Sequence, residues 1–274
     1  MHSNLCESAK YCLKNNKLTF LKKHRPAEGY AALSIATFGP VGLDPRKSSS
    51  YGKILATSPK AAWRNVDLLT PLKLACQGEK LPLVCRVETD VNAPALAELQ
   101  AIHQEQQQQQ QQDSWNGSSN NNNSISSLAY VTVGTGVGLG LVIHNRAVHG
   151  RLHPEGGHVS VPPLKSSSSS NDDTFEGYSW GKDCNPYASV NTVESLASSV
   201  ALTERLEQLQ GVSQLSRNVL ATLPDDHEIW PHAANALANL CVTLILTTSV
   251  ERIVLGGGLM RRPSLLPLIQ KRTR

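Results

Sequence analysis

Apolar residues fall in short runs, separated by glycine, proline and polar clusters. Residues 31–38 form one such run, closed by Gly39-Pro40, and predict a buried strand followed by a turn. A second run, 83–87, ends at Glu88-Thr89-Asp90 and passes at once into an alanine- and leucine-rich segment, 93–102, that reads as a helix. Residues 128–133 predict a strand, Gly134-Thr135-Gly136-Val137-Gly138 a turn, 140–144 a second strand and Asn145-Arg146 another turn. Parts of 4–23, 71–76 and 193–209 read as helical. Asp225 is placed to cap a helix that runs to about Thr247, with Trp230, Leu237, Leu240 and Leu244 on one buried face. Residues 252–255 form a last strand, closed by Gly256-Gly257-Gly258. Alternation of strands and helices over short connections indicates an α/β protein.

Three tracts break this pattern. Residues 106–112 are a glutamine run, 120–123 an asparagine run and 166–170 a serine run. Such composition does not bury a core, so the tracts read as disordered surface insertions.

Composition narrows the function. The chain has 274 residues, 40% hydrophobic and 18% charged, with a formal net charge of +4. It shows no basic stripe interleaved with aromatics, which argues against a nucleic-acid partner. Its six cysteines are scattered without a paired CxxC spacing and read as reduced thiols. No stretch approaches the roughly 20 apolar residues of a membrane span. The polar, lysine-bearing start is unlike a secretory signal, so a cytoplasmic location is the default expectation.

Four segments could carry chemistry. Alternate glycines at 134–138 let the backbone approach an anion closely and Thr135 adds a hydroxyl, although taken alone the segment reads first as a plain hairpin turn. Asp90, where a strand meets a helix, could take a proton from a substrate hydroxyl or could simply cap the helix. In His153-Pro154-Glu155-Gly156-Gly157-His158, a carboxylate and an imidazole three residues apart could grip vicinal sugar hydroxyls; His158 could equally bind a metal, or the segment could be a solvated loop. Gly256-Gly257-Gly258 leaves room for a flat ligand, or for close strand–helix packing.

Taken in order, these segments resemble the fructokinase branch of the ROK family (repressor, open reading frame, kinase). The resemblance lies in Ser34-Ile35-Ala36-Thr37-Phe38-Gly39-Pro40, Thr57-Ser58-Pro59-Lys60, Trp63-Arg64-Asn65-Val66-Asp67-Leu68 and Thr89-Asp90-Val91-Asn92-Ala93. It continues through Tyr130-Val131-Thr132-Val133-Gly134-Thr135-Gly136, His149-Gly150, His153-Pro154-Glu155, Gly157-His158 and Glu251-Arg252-Ile253-Val254-Leu255-Gly256-Gly257-Gly258. It covers about residues 30–270.

The resemblance implies a two-lobed, actin- and hexokinase-like fold with ribonuclease H-like lobes, and transfer of the γ-phosphoryl of ATP to a sugar hydroxyl with Mg²⁺. By position, Asp90 would be the general base. Thr89, Glu155, His158 and Glu194 would hold the sugar. Gly134, Thr135 and Gly136 would cradle phosphate, and Gly256, Gly257 and Gly258 would border the adenosine. Residues 1–92 would form a partial N-terminal lobe, 93–127 an interdomain helix with the Gln/Asn-rich insertion, and 128–274 the C-terminal lobe with the serine-rich insertion near 165–172. D-fructose is the expected sugar, with glucose and mannose open, and a homodimer is a possible assembly.

Two departures qualify that picture. Many relatives hold a structural zinc through the signature His and a downstream cluster. Here His158 and Cys184 remain, while Ala188 and Thr192 stand where ligands are expected, so zinc is expected to be weak or absent. Residues 1–29 contain no aspartate and no glycine before Gly29, so the first phosphate-binding hairpin is not among them. The chain also ends soon after the glycine turn, without a closing helix. It therefore reads as truncated at both ends, and a non-catalytic sugar-binding relative is the rival reading. Those 29 residues are too short for the helix-turn-helix of the family's repressors.

Overall fold

A computed structural model describes residues 17–78, 82–115, 124–162, 164, 191–216 and 218–274. The chain divides into two compact units. Unit 1 is Met1–Ala93 with His149–His153, and unit 2 is Pro94–Val148 with Pro154–Arg274.

Unit 1 contains α1 (Thr19–His24), β1 (Ala32–Thr37), α2 (Leu69–Cys76) and β2 (Val84–Thr89). β1 and β2 pair in parallel, from Ala32 opposite Val84 to Thr37 opposite Thr89. The apolar run at 31–38 predicts a buried strand, but β1 alternates exposed and half-buried positions, because only one face of the two-stranded sheet is covered. What covers it is a small cluster: Val41, Ile54, Val66 and Leu68 around Val87. Phe38 packs edge-on against Trp63 at its rim, with ring centres 5.5 Å apart.

α3 (Asn92–Trp115) begins at the end of β2 and corrects one expectation. The glutamine run at 106–112 is helical rather than disordered. Ala95, Leu99 and Ile102 bury one stripe, which nucleates the helix, and glutamine propagates an existing helix at little cost. The asparagine and serine runs lie outside the described residues.

In unit 2 the sheet runs in the order β5-β4-β3-β6. Its strands are β3 (Leu128–Val133), β4 (Val137–Ile143), β5 (Arg146–Ala147) and β6 (Arg252–Gly256). β3 pairs antiparallel with β4 and parallel with β6. His144 and Asn145 both take positive φ, 50° and 63°, which turns β4 into β5 in two residues. Side chains alternate across β3: Ala129, Val131 and Val133 enter the main core, while Leu128 and Tyr130 meet the α3 stripe.

The main core is closed by α4 (Val193–Ala197), α5 (Ser199–Gln210), α6 (Val219–Thr222), α7 (Ile229–Thr248) and α8 (Leu265–Thr273). The helix read over 193–209 is two helices. Ser198 leaves the helical region at ψ 155° and its hydroxyl caps the second by accepting from Ala201 N–H. The cap expected from Asp225 is also corrected: α7 starts at Ile229 behind Glu228, and Asp225 bonds Arg262 instead. α8 follows the glycine turn and packs on α7, burying Leu265 and Ile269, so a helix does follow β6. α7 is long and apolar enough to cross a membrane by length and composition, contrary to the sequence reading, but 56% of its apolar window is buried in this core.

Candidate active site

In unit 1 the candidate base stands at a tied turn. Asp90 donates its backbone N–H to Thr37 O at 2.8 Å, which extends the β1–β2 pairing by one bond. Thr89 is buried, and its hydroxyl accepts the N–H of Asn92 at 3.0 Å. Thr89 therefore caps the start of α3, and the Asp90 side chain is exposed. The charge of Asp90 acts on Lys60. The Lys60 ammonium lies 3.6 Å from the centre of the Phe38 ring, and burial lowers its pKa while Asp90 opposes that shift. Ser58 anchors the lysine by accepting its backbone N–H at 3.3 Å.

Unit 2 brings two glycine turns to one cavity. Gly134 and Thr135, after β3, and Gly258 and Leu259, after β6, line a cavity of about 730 Å³. β3 and β6 are parallel neighbours, so both turns leave the same end of the sheet. No atom lies within 4 Å of where a Cβ would project at Gly134 or Gly258, so their backbones face open space. Gly257 is held differently. Its φ is +97°, and a Cβ there would meet the Val133 backbone. Gly256 lies under the Tyr130 hydroxyl. The Gly134 N–H bonds Gly136 O at 2.9 Å and its carbonyl accepts from Ser199 at 2.7 Å, so this turn is fixed before any ligand arrives.

Against that turn packs a carboxylate, Glu194. Glu194, at the start of α4, accepts the Val137 N–H at 2.7 Å, and Gly136 packs directly on its carboxylate. Burial raises the Glu194 pKa; the Val137 bond and His158 lower it, and Glu155 raises it. Glu155 and His158 thus both act electrostatically on Glu194. Gly156 and Gly157 make this possible, because they lie flush on Leu139 and on the Val137 carbonyl with no room for a side chain. Of the expected zinc pair, His158 is at this cluster and Cys184 lies outside the described residues. Thr192 caps α4 through its hydroxyl, at 3.1 Å from Ser195 N.

Several residues at these sites went unassigned in the sequence. Trp230 reads as a core residue, yet it also borders the cavity. Arg262 stacks its guanidinium 4.2 Å from the Trp230 ring centre and donates to Leu220 O and Leu223 O at 3.0 and 2.8 Å. No local spacing connects residues 230 and 262. Lys60 and His149 lie in motifs quoted above, but those motifs gave neither a role.

The fold is that of the α/β, actin- and hexokinase-like class. The chain matches the ROK family over residues 9–274 and belongs to it. It is 36% identical over 256 residues to a fructokinase of Zymomonas mobilis, covering 93% of this chain and 70% of that protein. It superposes on a ROK family protein from Streptococcus pneumoniae, solved with sucrose, with a TM-score of 0.62 at 18% identity, covering 95% of this chain and 74% of the other. A ROK family glucokinase from Streptomyces griseus, solved with glucose and AMPPNP, gives 0.52 at 19% identity, covering 88% and 70%.

Proposed function

We propose that this chain is an ATP-dependent hexose kinase that phosphorylates D-fructose to fructose 6-phosphate. The observation that carries this reading is the convergence of Gly134-Thr135 and Gly258-Leu259 on one cavity, in a chain that is 36% identical to a fructokinase. Its volume, about 730 Å³, suits a nucleotide. Gly134, Thr135 and Gly136 would border the phosphates, and Gly256, Gly257 and Gly258 the adenosine. The open Cα faces of Gly134 and Gly258 support contact at those two positions.

Thr89, Glu155, His158 and Glu194 would hold the sugar. Glu155 would accept a hydrogen bond from one hydroxyl, and His158 would donate to another. Asp90 would take the proton of the attacking hydroxyl as the new O–P bond forms and the bond from the γ-phosphorus to the ADP oxygen breaks. Its exposed carboxylate supports that role better than a capping role, which Thr89 fills. Mg²⁺ would neutralise charge on the phosphates. Among the described residues Cys76, Cys85 and Cys241 are free thiols, which supports action in the reducing cytoplasm.

The test is a coupled ADP-release assay with Mg-ATP, comparing fructose, glucose, mannose and no sugar. Fructose-dependent release is expected. Folded protein that releases no ADP with any sugar would overturn the reading and leave a non-catalytic sugar-binding protein.

A further inference from the structure

Glu88 ends β2 and has no part in the mechanism above, yet its carboxylate collects three donors. It accepts the backbone N–H of Thr89 at 2.8 Å and Nδ2 of Asn92 at 3.1 Å. The imidazole Nε2 of His149 lies 3.0 Å from one carboxylate oxygen and 2.9 Å from the other. With acceptors only on the partner, Nε2 carries the hydrogen. The Glu88 side chain is 18% exposed, and Thr89 and Asn92 are fully buried. The bonds to Thr89 and Asn92 are therefore largely withdrawn from water, where an acceptor left without its donor is costly, while the His149 side chain is 37% exposed.

These contacts tie two stretches of chain. The first is the 88–92 turn, closed by the Thr89–Asn92 bond, from which Asp90 projects. The second is the segment His149–His153, which packs with unit 1 although the chain on either side of it belongs to unit 2. His149 holds its front end. His153 holds its rear end, with its ring pressed so closely on Gly39 that a methyl group there would overlap it. Glu155 comes two residues later.

We propose that Glu88 and His149 form a clamp that positions the sugar-binding residues, Glu88 fixing the turn that carries Thr89 and Asp90 and His149 fixing the segment that leads into Glu155. Both are positioning residues, since neither is required to touch the substrate. The inference deepens the kinase reading and rests on it for its consequence in turnover. The clamp itself is a contact within unit 1 and can be read without turnover.

Glu88→Gln can keep the oxygen shared by Thr89, Asn92 and His149 but replaces the second, 2.9 Å contact to His149 with a donor, and His149→Ala cuts the tie from the other side. The experiment combines amide hydrogen exchange over residues 149–153 with KM for fructose and for ATP. Each variant should accelerate exchange and raise the fructose KM by about tenfold, with the ATP KM within about twofold of the parent. The double variant should be no worse than either single by more than about twofold, because both remove one interaction. His149→Lys, which returns a donor to the carboxylate, should recover part of the loss. Unchanged exchange, single effects that multiply, or an ATP KM that rises in step with the fructose KM would overturn the clamp. Should Glu88→Gln fail to fold, the two His149 variants at the partly exposed end carry the test. If the parent shows no fructose-dependent turnover, the kinase reading falls and exchange alone decides the clamp.

Discussion

The two units hold their chemistry by different means. In unit 2 the glycine turns are fixed by exclusion. Gly257 lies on the Val133 backbone, Gly136 on the Glu194 carboxylate and Gly157 on the Val137 carbonyl, all above a core closed by α7. In unit 1 the main cluster is small, and the turn bearing Asp90 is fixed by backbone N–H groups that donate to Thr37 O, the Thr89 hydroxyl and the Glu88 carboxylate. A close-packed wall tolerates no added methyl, whereas a polar tie is lost by removing one partner. At the turns that carry the chemistry, added atoms should therefore injure unit 2, and removed polar atoms should injure unit 1.

The largest effect expected tests unit 1. Asp90→Asn removes a proton acceptor and little else, since the side chain is exposed and the backbone bond to Thr37 remains. Turnover should fall on the order of a thousandfold, within the range for loss of a general base. Fructose affinity, read by calorimetry, should stay within about threefold, because the acceptor geometry survives. A variant that phosphorylates fructose at the parent rate would remove Asp90 from the mechanism.

Next comes a pair of adjacent methyl groups in unit 2. Gly257→Ala forces a Cβ onto a residue at φ +97° and into Val133, and should cost about 2–3 kcal/mol in urea unfolding. Gly258→Ala meets open space at φ −62°, so stability should be unchanged. Its methyl would instead enter the cavity and raise the ATP KM severalfold. Equal stability losses in the two variants would erase the distinction between a packed glycine and a ligand-facing one.

The same contrast explains what the sequence disclosed. Strands 128–133 and 252–255, the turn at 134–138 and the glycines at 256–258 were legible, because each signal is local: an apolar run ended by residues that permit a tight turn. That the two turns share one cavity was legible only through the family resemblance, since parallel pairing of β3 with β6 joins segments more than a hundred residues apart. The glutamine helix was misread because composition was weighed without the nucleating stripe of Ala95, Leu99 and Ile102 beside it. Asp225 was read as a cap from its position alone, but Arg262, remote in sequence, takes its carboxylate. Glu88 and His149 stand in segments that were legible, but their pairing was not, as a charged residue at a strand end is ordinary until its partner is known.

Arg262 offers a smaller, sharper test. It is 12% exposed, stacks on Trp230 and donates to the carbonyls of Leu220 and Leu223. Arg262→Met keeps the stem and loses the stacking charge and all three acceptors, at a cost of about 1–2 kcal/mol. The cavity wall then loosens, and the ATP KM should rise about threefold with the fructose KM unchanged. A rise in the fructose KM alone would separate this wall from the nucleotide.

The smallest effect is one of sign, and it falls where the two modes of support meet. Glu194 is a polar support inside the packed unit, and burial raises its pKa more than the Val137 bond and His158 lower it. The folded state therefore binds the Glu194 proton more tightly than the unfolded chain does. The resulting stabilisation is fully present below the ordinary carboxylate range and is lost as pH rises through the folded value. Glu194→Gln keeps an oxygen for the Val137 N–H and carries no charge to bury. Its melting temperature should match or exceed that of the parent at pH 7, and the difference should shrink toward pH 4. Thermal melts across that interval check the sign. A variant less stable at pH 7 than at pH 4, relative to the parent, would mean that the ionised carboxylate supports the glycine turn through attraction to His158. In that event unit 2, like unit 1, would depend on charge beneath its glycine turn.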